Sequence, residues 1–262
     1  KKKSQEFIIY GKGLGSFTLK KNAELNFGNS GTLARLLIGI LSTTPDIQVK
    51  VRGDHSLNKR NMKKLIILMS EFGAFFYPKN KFNFPLKLIS TNMPIGINYK
   101  AGVSAQLKSA VILAGLNSFG ETNIVEIEKS RDHTENMLIK NPQVIHVRGN
   151  KKRFIKIKGK SFLNPIDINI PGDPSSSAFF AALTLLNNNS SIKILNVCLN
   201  STRIGFYEIL KKCGADIKFQ NLKRENNELR GDILVRSCKI NPIKASHKYY
   251  VSSTDEYPIL FV

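Results

Sequence analysis

The feature that most constrains this chain is an internal repeat of helix beginnings. Four stretches start with small polar residues and continue as apolar runs rich in small residues, as buried helices do. They are SGTLARLLIGIL at 30–41, SAQLKSAVILAGL at 104–116, SSSAFFAALTLL at 175–186 and DEYPILFV at 255–262. The first three are each followed by a β-branched segment and then by a polar turn that holds an arginine. The repeat recurs at roughly 70-residue spacing and predicts units of strand, helix, strand, helix and further strands.

The repeat predicts a mixed α/β fold. Ala-rich helices without a wide polar face are expected to be buried against the sheet of their own unit. Three prolines interrupt IDINIPGDPSSSAFF and its flank near 165–180, so we predict the boundary between two lobes there, with lobes at 1–170 and 171–262. GKGLG at 11–15 is interpreted as a hairpin turn between two strands within 3–19, because no helix follows it as in a phosphate loop.

Composition limits the possible partners. The formal net charge of +21 first suggests nucleic acid, but the basic residues are mostly lysines spread along the chain. The densest basic runs, at 1–3 and 151–153, are short and lack interleaved aromatic residues. No apolar run is long enough to cross a membrane. The three cysteines, Cys198, Cys213 and Cys238, have no metal-like spacing and favour a reducing cytoplasm.

The helix beginnings suggest an anion site. In GNSGTLARLL at 28–37, two glycines, an amide and two hydroxyls precede a helix that carries Arg35 one turn later. The unpaired N–H groups of a first turn suit an anion, and an arginine adds a planar fork of donors. Arg60, Arg131 and Arg203 follow three of the repeats at the same relative position, which favours a shared role over three separate caps.

Six blocks in family order also resemble the 5-enolpyruvylshikimate-3-phosphate (EPSP) synthase family. They span almost the whole chain: GNSGTLARLL, GDHSLNKRNMKKL, VSAQLKSAVILAGL, SRDHTENML, IPGDPSSSAFFAALTLL and TDEYP. The resemblance implies two lobes built from βαβαββ units with buried parallel helices, whose N-termini face a cleft. It also implies transfer of the enolpyruvyl group of phosphoenolpyruvate to the 5-hydroxyl of shikimate 3-phosphate.

The resemblance carries further expectations about partners. It implies two small-molecule substrates, no metal or organic cofactor, no nucleic-acid or membrane partner, and a monomer in the cytoplasm. Inhibition by glyphosate, which mimics phosphoenolpyruvate, is also implied. Both ends look cut relative to the family pattern, so we expect a partial second lobe and a chain that is inactive by itself.

Site residues are implied by the resemblance, position by position. Those expected to bind phosphoenolpyruvate are Asn29, Gly31, Thr32, Arg60 and Gln106, with Arg35 in support. Those expected to bind shikimate 3-phosphate are Ser104, Ala105, Gln106, Ser130, Arg131 and Asp255. Asp255 is also the expected proton acceptor for the 5-hydroxyl, while the role of His133 is left open.

Two alternatives remain at this point. One is the sister enzyme that places enolpyruvyl on a UDP-linked aminosugar (UDP-N-acetylglucosamine enolpyruvyl transferase), but GDHSLNKR lacks the cysteine that this enzyme carries before the arginine equivalent to Arg60. The other is a basic nucleic-acid-binding protein. It would leave the four polar helix beginnings unexplained, and a steep salt dependence of binding would favour it.

Overall fold

A computed structural model of the protein describes residues 2–3, 6–150 and 152–262. The protein consists of two compact units. Unit 1 comprises residues 1–127 and 143–163, and unit 2 comprises residues 128–142 and 164–262. The lobe boundary between residues 170 and 171 stays a prediction. The compact units differ from the predicted lobes chiefly in the segment 128–142, which packs within unit 2.

Unit 1 contains two four-stranded sheets of the same strand order. Its described strands are β1 (Lys2–Lys3), β2 (Glu6–Phe7), β3 (Ala23–Asn26), β4 (Gln48–Arg52), β5 (Phe75–Tyr77), β6 (Leu86–Ile89), β7 (Asn98–Ala101), β8 (Glu121–Glu126), β9 (Ile145–Arg148) and β10 (Arg153–Lys158). Its helices are α1 (Gly31–Ser42), α2 (His55–Lys59), α3 (Lys63–Glu71) and α4 (Ala105–Leu116). The sheets run β3-β4-β6-β5 and β7-β8-β10-β9, and each has one parallel pair followed by two antiparallel pairs.

Unit 2 contains a third copy of this arrangement. Its helices are α5 (His133–Leu138), α6 (Pro174–Leu186), α7 (Gly205–Lys212), α8 (Tyr250–Ser253) and α9 (Tyr257–Leu260), with 3₁₀ turns at His247–Tyr249 and Thr254–Glu256. Its strands are β11 (Ser191–Cys198), β12 (Asp216–Glu225) and β13 (Glu228–Arg236), in the order β11-β13-β12. A parallel bridge between Gly172 and Val197 stands where the other copies have their first strand. The predicted repeat of βαβαββ units is therefore confirmed.

Polar residues cap the three long helices at equivalent positions. The side chains of Ser30, Ser104 and Asp173 each accept a hydrogen bond from the backbone N–H three residues later, at 3.1, 3.4 and 2.8 Å. Gly73 and Gly214 follow α3 and α7 with φ of 103° and 93°, a conformation that glycine adopts at no steric cost. These caps explain why the repeat was visible in the sequence.

The core of unit 1 depends on a close contact between α1 and α4. Gly39 of α1 faces the backbone of α4, where a Cβ at residue 39 would lie 2.7 Å from the carbonyl oxygen of Ala110. The core also buries a charge cluster, in which Glu126 pairs with Lys108 at 2.7 Å and with Arg153 at 3.1 Å. Because a buried charge is costly unless it is paired and hydrogen-bonded, this cluster ties α4 to β8 and β10.

Helix burial differs between α4 and α6. In α4, as predicted, eight of the twelve residues are buried. In α6 the alanines face the core, but Phe179, Phe180 and Leu183 are 56–59% exposed. The prediction that the small-residue helices are buried is therefore correct for α4 and only partly correct for α6. None of the helices in the described part of the chain is long and apolar enough to cross a membrane.

Three local predictions were wrong in detail. Strands do not flank GKGLG: the described residues 8–20 form turns and irregular structure, and β1 pairs with β2 instead, while Ser4 and Gln5 lie outside the described residues. The polar turn predicted at 56–60 is mostly helix α2, because Asp54 caps the N–H of Leu57 at 2.8 Å. The fourth helix beginning is a 3₁₀ turn that contains Asp255, followed by the four residues of α9.

The α1–α4 contact generates a stability prediction. Gly39→Ala should lower the free energy of unfolding by about 1–2 kcal/mol, because the overpacking cost exceeds the gain of up to about 1 kcal/mol in helix propensity. Gly102→Ala is the control, since a Cβ there meets nothing within 4 Å. Urea denaturation of both variants measures the difference, and equal stabilities would show that the helices can separate without cost.

Candidate active site

Two arginines lie together at the N-terminal end of α1. Arg35 points back over the first turn, and its Nη1 donates to the carbonyl of Gly31 at 3.1 Å. Arg60, the residue directly after α2, donates through Nη2 to the Oδ1 of Asn29 at 3.1 Å. The sequence prediction that an arginine lies near this helix beginning is consistent with this geometry, which brings Asn29, Gly31, Arg35 and Arg60 together.

Gly31 allows the two guanidinium groups to approach each other. A Cβ built on residue 31 would lie 2.8 Å from Nη1 of Arg35 and 3.0 Å from Nη1 of Arg60. Both distances are shorter than ordinary contacts, so an alanine would have to push at least one guanidinium away. The small residue is needed here for space rather than for backbone conformation.

No carboxylate in the described part of the chain neutralises these two positive charges. Within residues 6–150 and 152–262, neither Arg35 nor Arg60 forms an ion pair. Burial, and after it repulsion by Arg60, lowers the pKa of Arg35. The unpaired N–H groups of the first helical turn add to the positive potential. An anion placed here would offset each of these costs.

Gln106 connects this group to α4. Its Oε1 accepts from Nη1 of Arg35 at 2.7 Å, and its Nε2 donates to Oγ1 of Thr32 at 2.8 Å. Ser104 caps α4 and Ala105 is its first residue, so the N-terminal ends of α1 and α4 lie side by side. The structure thus brings together Thr32, Arg35 and Gln106, three residues that the sequence analysis had placed on two different repeats.

The remaining predicted residues lie in unit 2. Arg131 pairs through Nη2 with Oδ2 of Asp255 at 2.6 Å, with side chains 26% and 50% exposed. Ser130, directly before it, is buried at 1% exposure. Arg131, which the repeat aligns with Arg60, is paired in the described structure with an aspartate 124 residues later.

The third repeat arginine is already neutralised. Arg203 donates through Nη2 to Oδ1 of Asp173 at 2.8 Å and to Oγ of Ser175 at 2.7 Å, at the beginning of α6. Burial alone would raise the pKa of Asp173, but hydrogen bonds from Ser176 and the Arg203 guanidinium outweigh burial and lower it. The hydroxyl of Ser175 also donates to the buried Glu256. This helix beginning therefore has its negative charge supplied by the protein.

Sequence reasoning missed a polar network around Glu228. Its carboxylate accepts from His133 at 2.8 Å, from Asn136 at 3.0 Å and from Asn200 at 2.9 Å. Burial would raise the pKa of Glu228, but the hydrogen bonds from His133 and the two asparagines lower it. These residues come from three parts of the chain with no regular spacing, so no sequence pattern pointed to Glu228.

Comparisons with known proteins agree with the resemblance. The sequence profile of EPSP synthase (3-phosphoshikimate 1-carboxyvinyltransferase) matches residues 1–248. A 3-phosphoshikimate 1-carboxyvinyltransferase from Parvibaculum lavamentivorans is 38% identical over 257 residues, which cover 97% of this chain and 56% of the relative. One from Aquifex aeolicus is 39% identical over 263 residues, covering 98% and 60%. The chain thus spans a little over half the length of these curated relatives.

A solved structure gives the same result for the fold. The EPSP synthase from Acinetobacter baumannii matches with a TM-score of 0.81 at 34% sequence identity. The match covers 96% of this chain and 56% of that structure. Both the sequence and the three-dimensional similarity extend over nearly all of the chain.

The unpaired arginines predict a stabilising effect of anions. Inorganic phosphate should raise the Tm of the chain, because a ligand that binds only the folded state stabilises it. Arg60→Ala should weaken phosphate binding at least tenfold, since a charge-assisted hydrogen bond contributes about 1.5–3 kcal/mol. Without phosphate, Arg60→Ala should be no less stable than the wild type, because the substitution removes the repulsion between Arg60 and Arg35.

The control for this experiment is Lys64→Ala, which removes one positive charge from the exposed side of α3. This variant should keep the phosphate-dependent shift in Tm, measured by differential scanning fluorimetry at constant ionic strength. An equal shift in the wild type and in Arg60→Ala would contradict an anion site at the beginning of α1.

Proposed function

Because this chain belongs to the EPSP synthase family, we propose that its protein transfers the enolpyruvyl group of phosphoenolpyruvate to the 5-hydroxyl of shikimate 3-phosphate and releases phosphate. The observation that carries the proposal is the pair of guanidinium groups of Arg35 and Arg60, uncompensated by described carboxylates, at the N-terminal end of α1. Such a site suits a small, highly charged anion better than a neutral ligand.

Phosphoenolpyruvate is assigned to the group in unit 1. Arg60 and Arg35 bind its anionic oxygens, while Asn29 and Thr32 contribute an amide and a hydroxyl. Gly31 lets the substrate approach the backbone, because a side chain there would fill the space between the guanidinium groups. Positive groups held in place before the reaction stabilise the charge that builds up as phosphate departs.

Shikimate 3-phosphate is assigned to Ser104, Ala105, Gln106, Ser130 and Arg131, the residues that the family pattern implies. The amide of Gln106 already bonds Arg35 and Thr32, so it can respond to both substrates. Arg131 supplies a planar fork of donors that matches a phosphate group. These assignments follow the family pattern residue by residue.

Asp255 is assigned as the base that accepts the proton of the 5-hydroxyl. Its ion pair with Arg131 suggests how substrate binding prepares it. A phosphate that binds Arg131 competes with the carboxylate for the same donors, so the Asp255 side chain is released towards the hydroxyl. A base must lie within hydrogen-bond reach of the proton that it accepts, and a half-exposed side chain can move to meet that requirement.

The alternatives are less well supported. The relatives from Parvibaculum lavamentivorans and Aquifex aeolicus are 3-phosphoshikimate 1-carboxyvinyltransferases, which favours this reaction over transfer to a UDP-linked aminosugar. Arg131 and Arg203 are each paired with an aspartate, and the short basic runs of the sequence lack interleaved aromatic residues, which does not favour nucleic-acid binding. Cytoplasmic location and a monomeric state accompany the proposal as expectations from the family.

Substitutions of Arg60 and Arg131 should each affect a different substrate in the natural full-length protein. Arg60→Ala should raise the KM for phosphoenolpyruvate far more than that for shikimate 3-phosphate, and Arg131→Ala should do the reverse. Each lost charge-assisted bond, worth about 1.5–3 kcal/mol, corresponds to roughly 10- to 150-fold. Steady-state kinetics with each substrate varied in turn measures the effects.

Direct binding of shikimate 3-phosphate by calorimetry is the companion measurement. Arg60→Ala should leave this affinity nearly intact, and Arg131→Ala should not. Lysine at either position should restore only part of the loss, because it keeps the charge but not the planar fork. If both alanine variants affected both substrates equally, the arginines would act on folding rather than on recognition.

Asp255→Asn should remove the base and keep the shape. We expect kcat to fall roughly 10²- to 10⁴-fold, the usual contribution of a general base. The affinity for shikimate 3-phosphate should not fall, because the substitution removes the carboxylate that competes with the phosphate group for Arg131. Asp167→Asn, which alters an exposed carboxylate of the same unit, is the matched control. A kcat within twofold of the wild type would exclude Asp255 as the base.

A further inference from the structure

Three side chains of different metal-binding types converge within unit 2. His133, Cys198 and Glu228 each offer one ligand atom, and these atoms all lie within 4.8 Å of one another. The ring Nδ1 of His133 is 2.8 Å from Oε1 of Glu228, and Sγ of Cys198 is 3.9 Å from Oε2. They come from α5, the end of β11 and the beginning of β13, so only the folded unit assembles them.

The spacing of these atoms fits a tetrahedral cation. Zn²⁺ binds sulfur at about 2.3 Å and nitrogen or oxygen at about 2.0–2.2 Å, which places neighbouring ligand atoms roughly 3.3–3.8 Å apart. The distances to the glutamate lie on either side of that range, so small side-chain rotations would suffice. A thiolate, an imidazole and a carboxylate together favour a borderline-soft ion over Mg²⁺ or Ca²⁺.

The surroundings hold the ligands in place. Asn136 and Asn200 donate to the two oxygens of Glu228 at 3.0 and 2.9 Å, and Asn200 also donates to Asp132 at 2.8 Å. Such outer hydrogen bonds orient a ligating carboxylate and add to metal affinity. The glutamate therefore does not need to be ordered by the ion itself.

The cluster is also accessible to an ion. Cys198 is buried at 7% exposure, whereas the His133 side chain is 41% exposed. All three residues line a cavity of about 340 Å³, whose walls also include Met137, Ile170 and Pro171. An ion can reach the histidine from this cavity, and the fourth coordination position would face the same space.

We propose that His133, Cys198 and Glu228 form a binding site for a thiophilic divalent cation such as Zn²⁺, separate from the substrate assignments made above. On binding, the S–H bond of Cys198 breaks, its proton goes to solvent, and a sulfur–metal bond forms. The Nδ1 proton that His133 donates to Glu228 is released to solvent while Nε2 takes up a proton, so the neutral ring changes tautomer, and Nδ1 and the carboxylate each bind the ion. Binding would lock α5 to the ends of β11 and β13.

Cobalt titration of the purified, reduced chain tests the proposal, because tetrahedral Co²⁺ bound to thiolate shows a charge-transfer band in the near ultraviolet. One equivalent of Co²⁺ should produce the band, and one equivalent of Zn²⁺ should abolish it. Cys198→Ser should lose the band. Cys213→Ser should keep it, since Cys213 is buried in the same unit but lies outside the cluster.

A second variant is needed because Cys198 is buried, and Cys198→Ser could lose the band through misfolding alone. His133→Gln alters the exposed ligand and should weaken Co²⁺ binding at least tenfold while circular dichroism stays unchanged. Absence of the band in the wild type, persistence of the band in Cys198→Ser, or unchanged affinity in His133→Gln would each overturn the proposal.

Discussion

The backbone contact between α1 and α4 determines where the polar side chains of unit 1 lie. Because Gly39 has no side chain, α4 comes close to α1 at Ala110, and the N-terminal ends of both helices become neighbours. Only then can the amide of Gln106 reach both Thr32 and Arg35. The packing of small residues in the core therefore also fixes the geometry of the candidate site.

The three repeat arginines show how one sequence position acquires different electrostatic roles. Arg203 is neutralised by Asp173, and Arg131 is paired with Asp255. Among the described residues, Arg60 bonds the neutral amide of Asn29 and forms no ion pair, and it lies beside a second guanidinium, that of Arg35. A fold that leaves two such cations without a described counter-ion stores an unfavourable interaction, and an anionic ligand is what removes it. The copy with the least local compensation is the one best suited to bind.

Much of the fold could be predicted from the sequence because its signals are local. Ser30, Ser104 and Asp173 cap helices whose beginnings are visible as polar residues before apolar runs. The pairing of Arg131 with Asp255 could not be predicted, because it depends on how distant segments pack and leaves no spacing pattern. The position of Cys198 close to His133 and Glu228 could not be predicted either, because the spacing of cysteines along the chain does not show which residues lie near them in space. The strands expected around GKGLG were wrong for the opposite reason, because a local turn signal does not show whether the residues beside it pair, and residues 8–20 form turns and irregular structure.

Unit 2 is assembled from two separate stretches of the chain, which has a consequence for its synthesis on the ribosome. Asp132 and His133 leave the exit tunnel 68 and 95 residues before Asn200 and Glu228, the residues they bond in the folded protein. Meanwhile β9 and β10, which follow directly, can complete the second sheet of unit 1. The segment 128–142 cannot form these contacts until residues 200 and 228 have been synthesised, so closing them is a late co-translational step. Arg131 lies on this segment, so its ion pair with Asp255 forms only after the first unit can already have folded.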